Sequence, residues 1–253
     1  MKLTHSLLKT RLLSLSLLAV VGLAQESHAA IALDRTRVIF DGGQSAMSVT
    51  ISNQNKNLPY LAQAWVEDRD GKKIETPMTA LPPLQRVEPG AKGQVKIQLS
   101  GGAAAFPQDR ESLMYFNVRE IPPRSSKPNT LQIALQTRVK MFYRPESLAI
   151  SHGQDEAFQK KLTLIREGEH IKVNNPTPYY VTIAAAAGSE KGENISGFKP
   201  LMIDPKGTSV MLGNTGALGS HPVLTFINDY GGRPKLVFEC AGNVCSVSKM
   251  IDG

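Results

Sequence analysis

The chain is poor in the residues from which most catalytic and metal sites are built. It has two cysteines, one tryptophan and five histidines in 253 residues. His5 and His28 fall in an N-terminal processing segment, and His152, His170 and His221 lie far apart, without the close spacing of metal ligands. No G-x-S-x-G occurs, and the nearest glycine-rich run, Gly213 to Gly219, lacks the strand, loop and helix setting of a phosphate cradle. These absences argue against an enzyme and imply neither a cofactor nor a metal. Lys and Arg never form a run of five or more, and no aromatic-and-basic motif accompanies them, so nucleic acid is not an expected partner. Beyond the first 24 residues no stretch is apolar enough to span a bilayer, so no membrane insertion is expected. No segment of 12 or more residues carries a helical stripe.

What is present begins with an export signal. Lys2, Lys9 and Arg11 form a basic start, Leu12 to Ala24 is an uncharged apolar run, and Ser27-His28-Ala29 places small residues where a signal peptidase reads them. Cleavage after Ala29 removes three cations and one anion from a formal charge of +7, leaving +5 on a mature chain that begins at Ala30. That moderate basic balance suits an anionic protein partner or a carboxylate. The compartment is then oxidising, and Cys240 and Cys245, close together in VFECAGNVCSVS, are expected to form a disulfide across a turn.

Short alternating patches separated by Gly, Pro, Asn and Asp recur about every ten residues, which is the signal of a β-sandwich. They stop at Arg144-Pro145-Glu146-Ser147, where proline follows a long alternating stretch and a polar run, Ser151–Asp155, comes next, and they restart at Lys161. The expected organisation is a signal peptide over 1–29, one all-β sandwich over 30–146 and a second over 147–253. Both have the size of an immunoglobulin-like domain.

The densest information lies between Phe106 and Tyr143. Leu131, Ile133, Leu135, Val139 and Met141 alternate with Gln132, Gln136, Arg138 and Lys140, the period of a half-buried strand. A strand from Leu131 to Tyr143 is about twice the usual five to six residues. Either it crosses a large sheet or part of it lacks a partner in its own domain. On periodicity alone, Leu131, Ile133 and Leu135 read first as ordinary core of the first sandwich; the signature around them reverses that reading.

FPQDRESLMYFNVREIPP at 106–123, LQIALQ at 131–136 and KMFYRP at 140–145 resemble the signature of the periplasmic pilus chaperones, in their short-loop class. The likeness continues through ALDRTRVIFDG at 32–42, LPYLAQAWVED at 58–68, RVEPGAKGQV at 86–95, NPTPYYVT at 175–182, INDYGGRP at 227–234 and the cysteine pair. It implies two immunoglobulin-like domains set at an angle with a cleft between them. It further implies a periplasmic protein that lends a strand to an incomplete pilus subunit, pilin or adhesin, and delivers it to an outer-membrane usher. Leu131, Ile133 and Leu135 match the donor positions, and Arg37 and Lys140 match the cations that hold the subunit's C-terminal carboxylate. Glu111, Arg144 and Asp229 match a charged cluster at the domain junction, expected to fix the interdomain angle rather than to bind and to contribute only the small energy of paired surface charges, and Pro59 and Pro82 match prolines that close off the donor region. An exposed donor row also makes a self-capping dimer plausible in the empty state. Lys140 has the opposite parity to Leu131, which calls for a bulge, a strong twist or displacement into the cleft. The competing reading is a secreted immunoglobulin-like adhesin or structural pilus component, which would bury Leu131, Ile133 and Leu135 in its own core.

Overall fold

The computed structural model describes residues 29–126, 128–150 and 158–253. Residues 1–28 of the expected signal segment, the polar run Ser151–Asp155 and His152 lie outside them. Alternating side chains build the first half from β1 (Ile31–Leu33), β2 (Arg37–Asp41), β3 (Ala46–Asn53), β4 (Tyr60–Glu67), β5 (Lys73–Ile74), β6 (Met78–Leu81), β7 (Leu84–Val87), β8 (Lys92–Leu99), β9 (Ser112–Ile121) and β10 (Gln136–Arg144). One sheet has the order β1-β3-β8-β6, and the other β2-β10-β9-β4-β5 with β7 added on β4. Alternate residues of the two sheets meet between them: Val49, Ile51, Val95 and Ile97 pack with Phe40, Val66, Phe116 and Met141 in one buried cluster.

The second half consists of β11 (Thr163–Glu167), β12 (His170–Asn175), β13 (Val181–Ala187), β14 (Leu201–Ile203), β15 (Gly207–Met211), β16 (Val223–Phe226), β17 (Lys235–Ala241) and β18 (Val244–Ile251). These follow one continuous path, β14-β13-β16-β17-β18-β11-β12-β15. Its two end strands, β14 and β15, are joined by a three-residue connection, so the sheet must curl until its ends meet. Register shifts at Ile183/Ala185 and Val237/Phe238 mark where irregular pairing assists that curl. Inside it, Leu164, Val173, Ile183, Phe226 and Phe238 form a second, separate core. Among the described residues no helix is long and apolar enough to cross a membrane.

Both halves close one end with the same device. Asn53, the last residue of β3, donates its amide to the carbonyls of Leu58 (2.9 Å) and Val87 (3.1 Å) and accepts from the Asn55 N–H. Asn175, the last residue of β12, donates to Tyr179 (2.7 Å) and Asp204 (3.0 Å) and accepts from the Thr177 N–H. Each buried amide satisfies loop carbonyls that no strand reaches. Cys240 and Cys245, opposite one another at the tip of the β17–β18 hairpin, are disulfide-bonded. Gly42 ends β2, and its N–H donates to the Arg144 carbonyl at 2.7 Å; a Cβ there would lie 2.7 Å from the Tyr143 hydroxyl.

The expected strand from Leu131 to Tyr143 is shorter than its pattern. β10 begins at Gln136, opposite Arg119 of β9. Continuing that antiparallel register sets Ile133 opposite Pro122 and Gln132 opposite Pro123, and proline has no N–H to give a ladder. Apolar alternation therefore extends beyond the last position at which the chain can pair with itself.

Asn175→Ala removes two or three buried bonds of about 1 kcal/mol each and should lower stability by about 2–3 kcal/mol. Urea unfolding of the mature chain, with Asn174→Ala as the control, measures the difference.

Candidate functional site

β10 joins the halves of the molecule because its two faces meet different surroundings. Val139, Met141 and Tyr143 point into the first core. On the opposite face Lys140, Phe142 and Arg144 turn toward the second half, where Phe142 packs on Tyr180 with ring centroids 5.4 Å apart. The pairing with β9 runs unshifted from Gln136 to Tyr143, so no bulge is needed. Lys140 belongs to the face on the cleft, and the odd-numbered row Leu131, Ile133 and Leu135 continues the core-facing row beyond the end of the strand.

β2 runs parallel to β10 and sets Arg37 directly beside Lys140. Arg37 is 8% exposed and donates through Nη1 to the Ile227 carbonyl at 3.1 Å, while its buried Nε has no hydrogen-bond partner. Lys140 reaches Thr182 Oγ1 at 3.3 Å. Burial draws the Arg37 guanidinium below its ordinary pKa against the pull of Asp229 and Glu111. Burial does the same to the Lys140 ammonium, and the charge of Arg37 adds to it. A buried and a half-buried cation side by side, each disfavoured by its surroundings, form a site that an anion relieves. A carboxylate can accept several charge-assisted bonds there.

Four residues further along β10 lies a cation of the opposite character. Arg144 donates through Nε to Glu111 Oε1 and pairs through Nη1 with Asp229 Oδ2, both at 2.8 Å, and its guanidinium stands over Tyr179. Glu111 Oε2 accepts from the Tyr180 N–H at 2.7 Å, and the Glu111 N–H donates to the Pro178 carbonyl. Burial opposes the Arg144 charge, but the two carboxylates outweigh it and hold the group above its ordinary value. For Glu111, burial pushes the carboxyl up to about 7 despite Arg144. The three residues come together as the sequence suggested, but not as surface charges: Glu111 and Arg144 are buried and Asp229 is nearly so. The small contribution of an exposed pair does not apply to them.

The row Leu131, Ile133 and Leu135 is 84%, 64% and 40% exposed. Ile133 and Leu135 line an open groove of about 1070 Å³ whose far wall is the β1 segment around Ile31 and Leu33. Pro59 stands before β4, and Pro82 separates β6 from β7. Sequence reasoning missed the contacts from the second half, Thr182 and the Ile227 carbonyl, and two exposed ion pairs across the junction, Arg69 with Asp204 at 2.7 Å and Lys206 with Asp109 at 2.8 Å. Isolated charges 97 to 135 positions apart carry no local pattern to reveal them.

Comparison with known proteins agrees with this geometry. Residues 30–149 match the family model described as pili and flagellar-assembly chaperone, PapD N-terminal domain, and residues 157–238 match pili assembly chaperone PapD, C-terminal domain. The chain belongs to the pilus-assembly chaperone family. It is 50% identical over 224 residues to the chaperone protein PapD of Escherichia coli, covering 88% of this chain and 92% of PapD. It is 50% identical over 221 residues to the probable fimbrial chaperone YfcS of Escherichia coli strain K12, covering 87% of each. Among solved structures, the periplasmic chaperone SfaE is similar with a TM-score of 0.65 at 29% identity, over 88% of this chain and 98% of that one.

Arg144→Ala strands a buried carboxylate and should lower stability by about 3–5 kcal/mol, against at most about 1 kcal/mol for Arg69→Ala, whose pair is exposed. Guanidinium unfolding of the two variants separates the cases.

Proposed function

We propose that this chain is a periplasmic chaperone that captures pilus subunits one at a time. It completes each subunit's fold with the segment Leu131–Leu135, anchors the subunit's C-terminal carboxylate between Arg37 and Lys140, and passes it to an outer-membrane usher. The carrying observation is the exposed apolar row, which leaves the β9 ladder beyond Leu135 and, in the other direction, runs straight into the strand that bears Lys140. An adhesin or structural component would bury that row, and here it stands in solvent. A strand lent in this way supplies main-chain hydrogen bonds and alternate side chains to an incomplete sheet. Burying each of the three side chains contributes roughly 1.5–3 kcal/mol before ordering costs are subtracted.

The family likeness supports the same assignment, and the solved complex of the Salmonella enterica SafA pilin with the SafB chaperone matches with a TM-score of 0.67 at 26% identity, over 83% of this chain and 95% of that one. Leu135 and Lys140 are five residues apart, about 17 Å along an extended strand. An anchored carboxylate therefore fixes which partner residue meets each donor side chain, and a slip of one residue would turn the whole row away. Glu111, Arg144 and Asp229 hold the two domains, over 30–146 and 147–253, at a set angle around the anchor. No catalytic step is assigned. Release follows when another subunit's strand replaces the donor segment, without nucleotide hydrolysis.

Arg37→Ala should reduce recovery of soluble complex with a co-expressed pilus subunit about 10- to 100-fold, the equivalent of one or two charge-assisted bonds, while the variant itself stays folded. Ile133→Asp should abolish recovery and leave thermal unfolding of the free chaperone within about 0.5 kcal/mol of wild type, as for other exposed positions. Equal recovery for both variants would remove the proposal.

A further inference from the structure

Glu120 is a buried carboxylate to which neither the sequence reading nor the proposed capture mechanism gives a task. It lies near the end of β9 on the core-facing side, 5% exposed, just before the two prolines that end the ladder. Its neighbour Arg119 faces the other way, over the Trp65 ring. The Glu120 carboxylate accepts from two main-chain N–H groups of distant segments. Oε2 takes the Ile31 N–H at 3.0 Å, across the sandwich in β1 of the opposite sheet. Oε1 takes the Leu135 N–H at 3.4 Å. The Glu120 N–H in turn donates to the Leu135 carbonyl at 3.0 Å. Leu135 is thus gripped at both its N–H and its C=O by one residue, at the last position before the chain loses its partner strand.

A carboxylate is an expensive choice for this place. Burying it is unfavourable unless its oxygens are bonded, and for packing alone an apolar side chain of similar size would serve as well or better. What an apolar side chain cannot do is accept from both Ile31 and Leu135. The groove beside the donor row has the β1 segment as one wall and Ile133 and Leu135 as the other, with Glu120 also lining it. Its width and the direction in which the donor segment leaves β10 both depend on the two segments that this carboxylate joins.

We infer that Glu120 is a positioning residue for subunit capture: its carboxylate ties β1 to Leu135 and so sets where the donor segment begins and which way Leu131, Ile133 and Leu135 face. This rests on the reading of that segment as the donor strand. The tie itself is a property of the free protein. Glu120 acts through Leu135, in contrast to Arg37 and Lys140, which fix the other end of the same register.

The test compares Glu120→Gln with Val118→Ala, a core substitution on the same strand that provides a destabilised control. Glutamine preserves the volume but offers a single acceptor oxygen where two N–H groups must be met. In the free mature chain, amide hydrogen exchange at Ile31 and Leu135 should accelerate at least ten-fold in Glu120→Gln after correction for global stability, and stay within three-fold of wild type in Val118→Ala. Recovery of complex with a co-expressed pilus subunit should fall three- to ten-fold in Glu120→Gln and remain near wild type in Val118→Ala. Unchanged exchange at both amides, or recovery that falls equally in the two variants, would overturn the inference. A wild-type chain that captures no subunit would instead overturn the capture reading, and the exchange measurement would still decide whether the tie exists.

Discussion

Hydrogen bonding along β10 is the constraint on which the rest of the molecule depends. From Gln136 to Tyr143 the strand is paired with β9, and from Lys140 to Arg144 it is also paired with β2. On the other side of Leu135 the register meets Pro122 and Pro123, and pairing stops because those residues have no N–H. The same alternation of apolar side chains is therefore buried on one side of Leu135 and exposed on the other. An exposed apolar edge is ordinarily a liability for a soluble protein. In the capture mechanism proposed above, that edge is the working part.

The outer face of β10 carries a second division, between cations with and without acidic partners. Lys140 and Arg144 lie four residues apart on the same face of β10, and both meet the second half of the molecule. Arg144 sits between two carboxylates, one from Glu111 just before β9 and one from Asp229 in the INDYGGRP loop, so its charge is satisfied internally and the junction is stiffened. Arg37 and Lys140 face one another with neutral acceptors only, a hydroxyl and a carbonyl. Burial without a paired anion leaves their charge available, and this difference separates a structural cation from one suited to an incoming carboxylate.

Much of the architecture was legible in the chain. The period of two, the turn residues every ten positions and the proline at 145 announced two all-β units, and the cysteine pair announced its own bond. The sites were legible for a different reason: Arg37, Lys140, Glu111, Arg144 and Asp229 are unremarkable individually and stand out only within the motifs that surround them. Periodicity also overreached at Leu131–Leu135, because alternation reports which face a side chain would occupy and says nothing of whether the opposite strand can supply hydrogen bonds. Glu120 escaped notice because a single acidic residue inside a strand motif has no pattern, although its even-numbered position beside Val118 and Phe116 was a hint that it points inward.

The sequence by itself determined the fold class, the recurrence of short strands, the disulfide and the apolar alternation of Leu131, Ile133 and Leu135, since each depends on local composition and spacing. Only the tertiary structure decided which charges are spent and which are free. Arg37 and Lys140 become neighbours through a parallel pairing between segments about a hundred residues apart, and Arg144 is neutralised by a loop from the other domain. Burial, the quantity that sets the strength of the Glu111–Arg144–Asp229 cluster and the unfavourable setting of the Arg37 and Lys140 charges, is a property of the assembled sheets and cannot be read from any one of them.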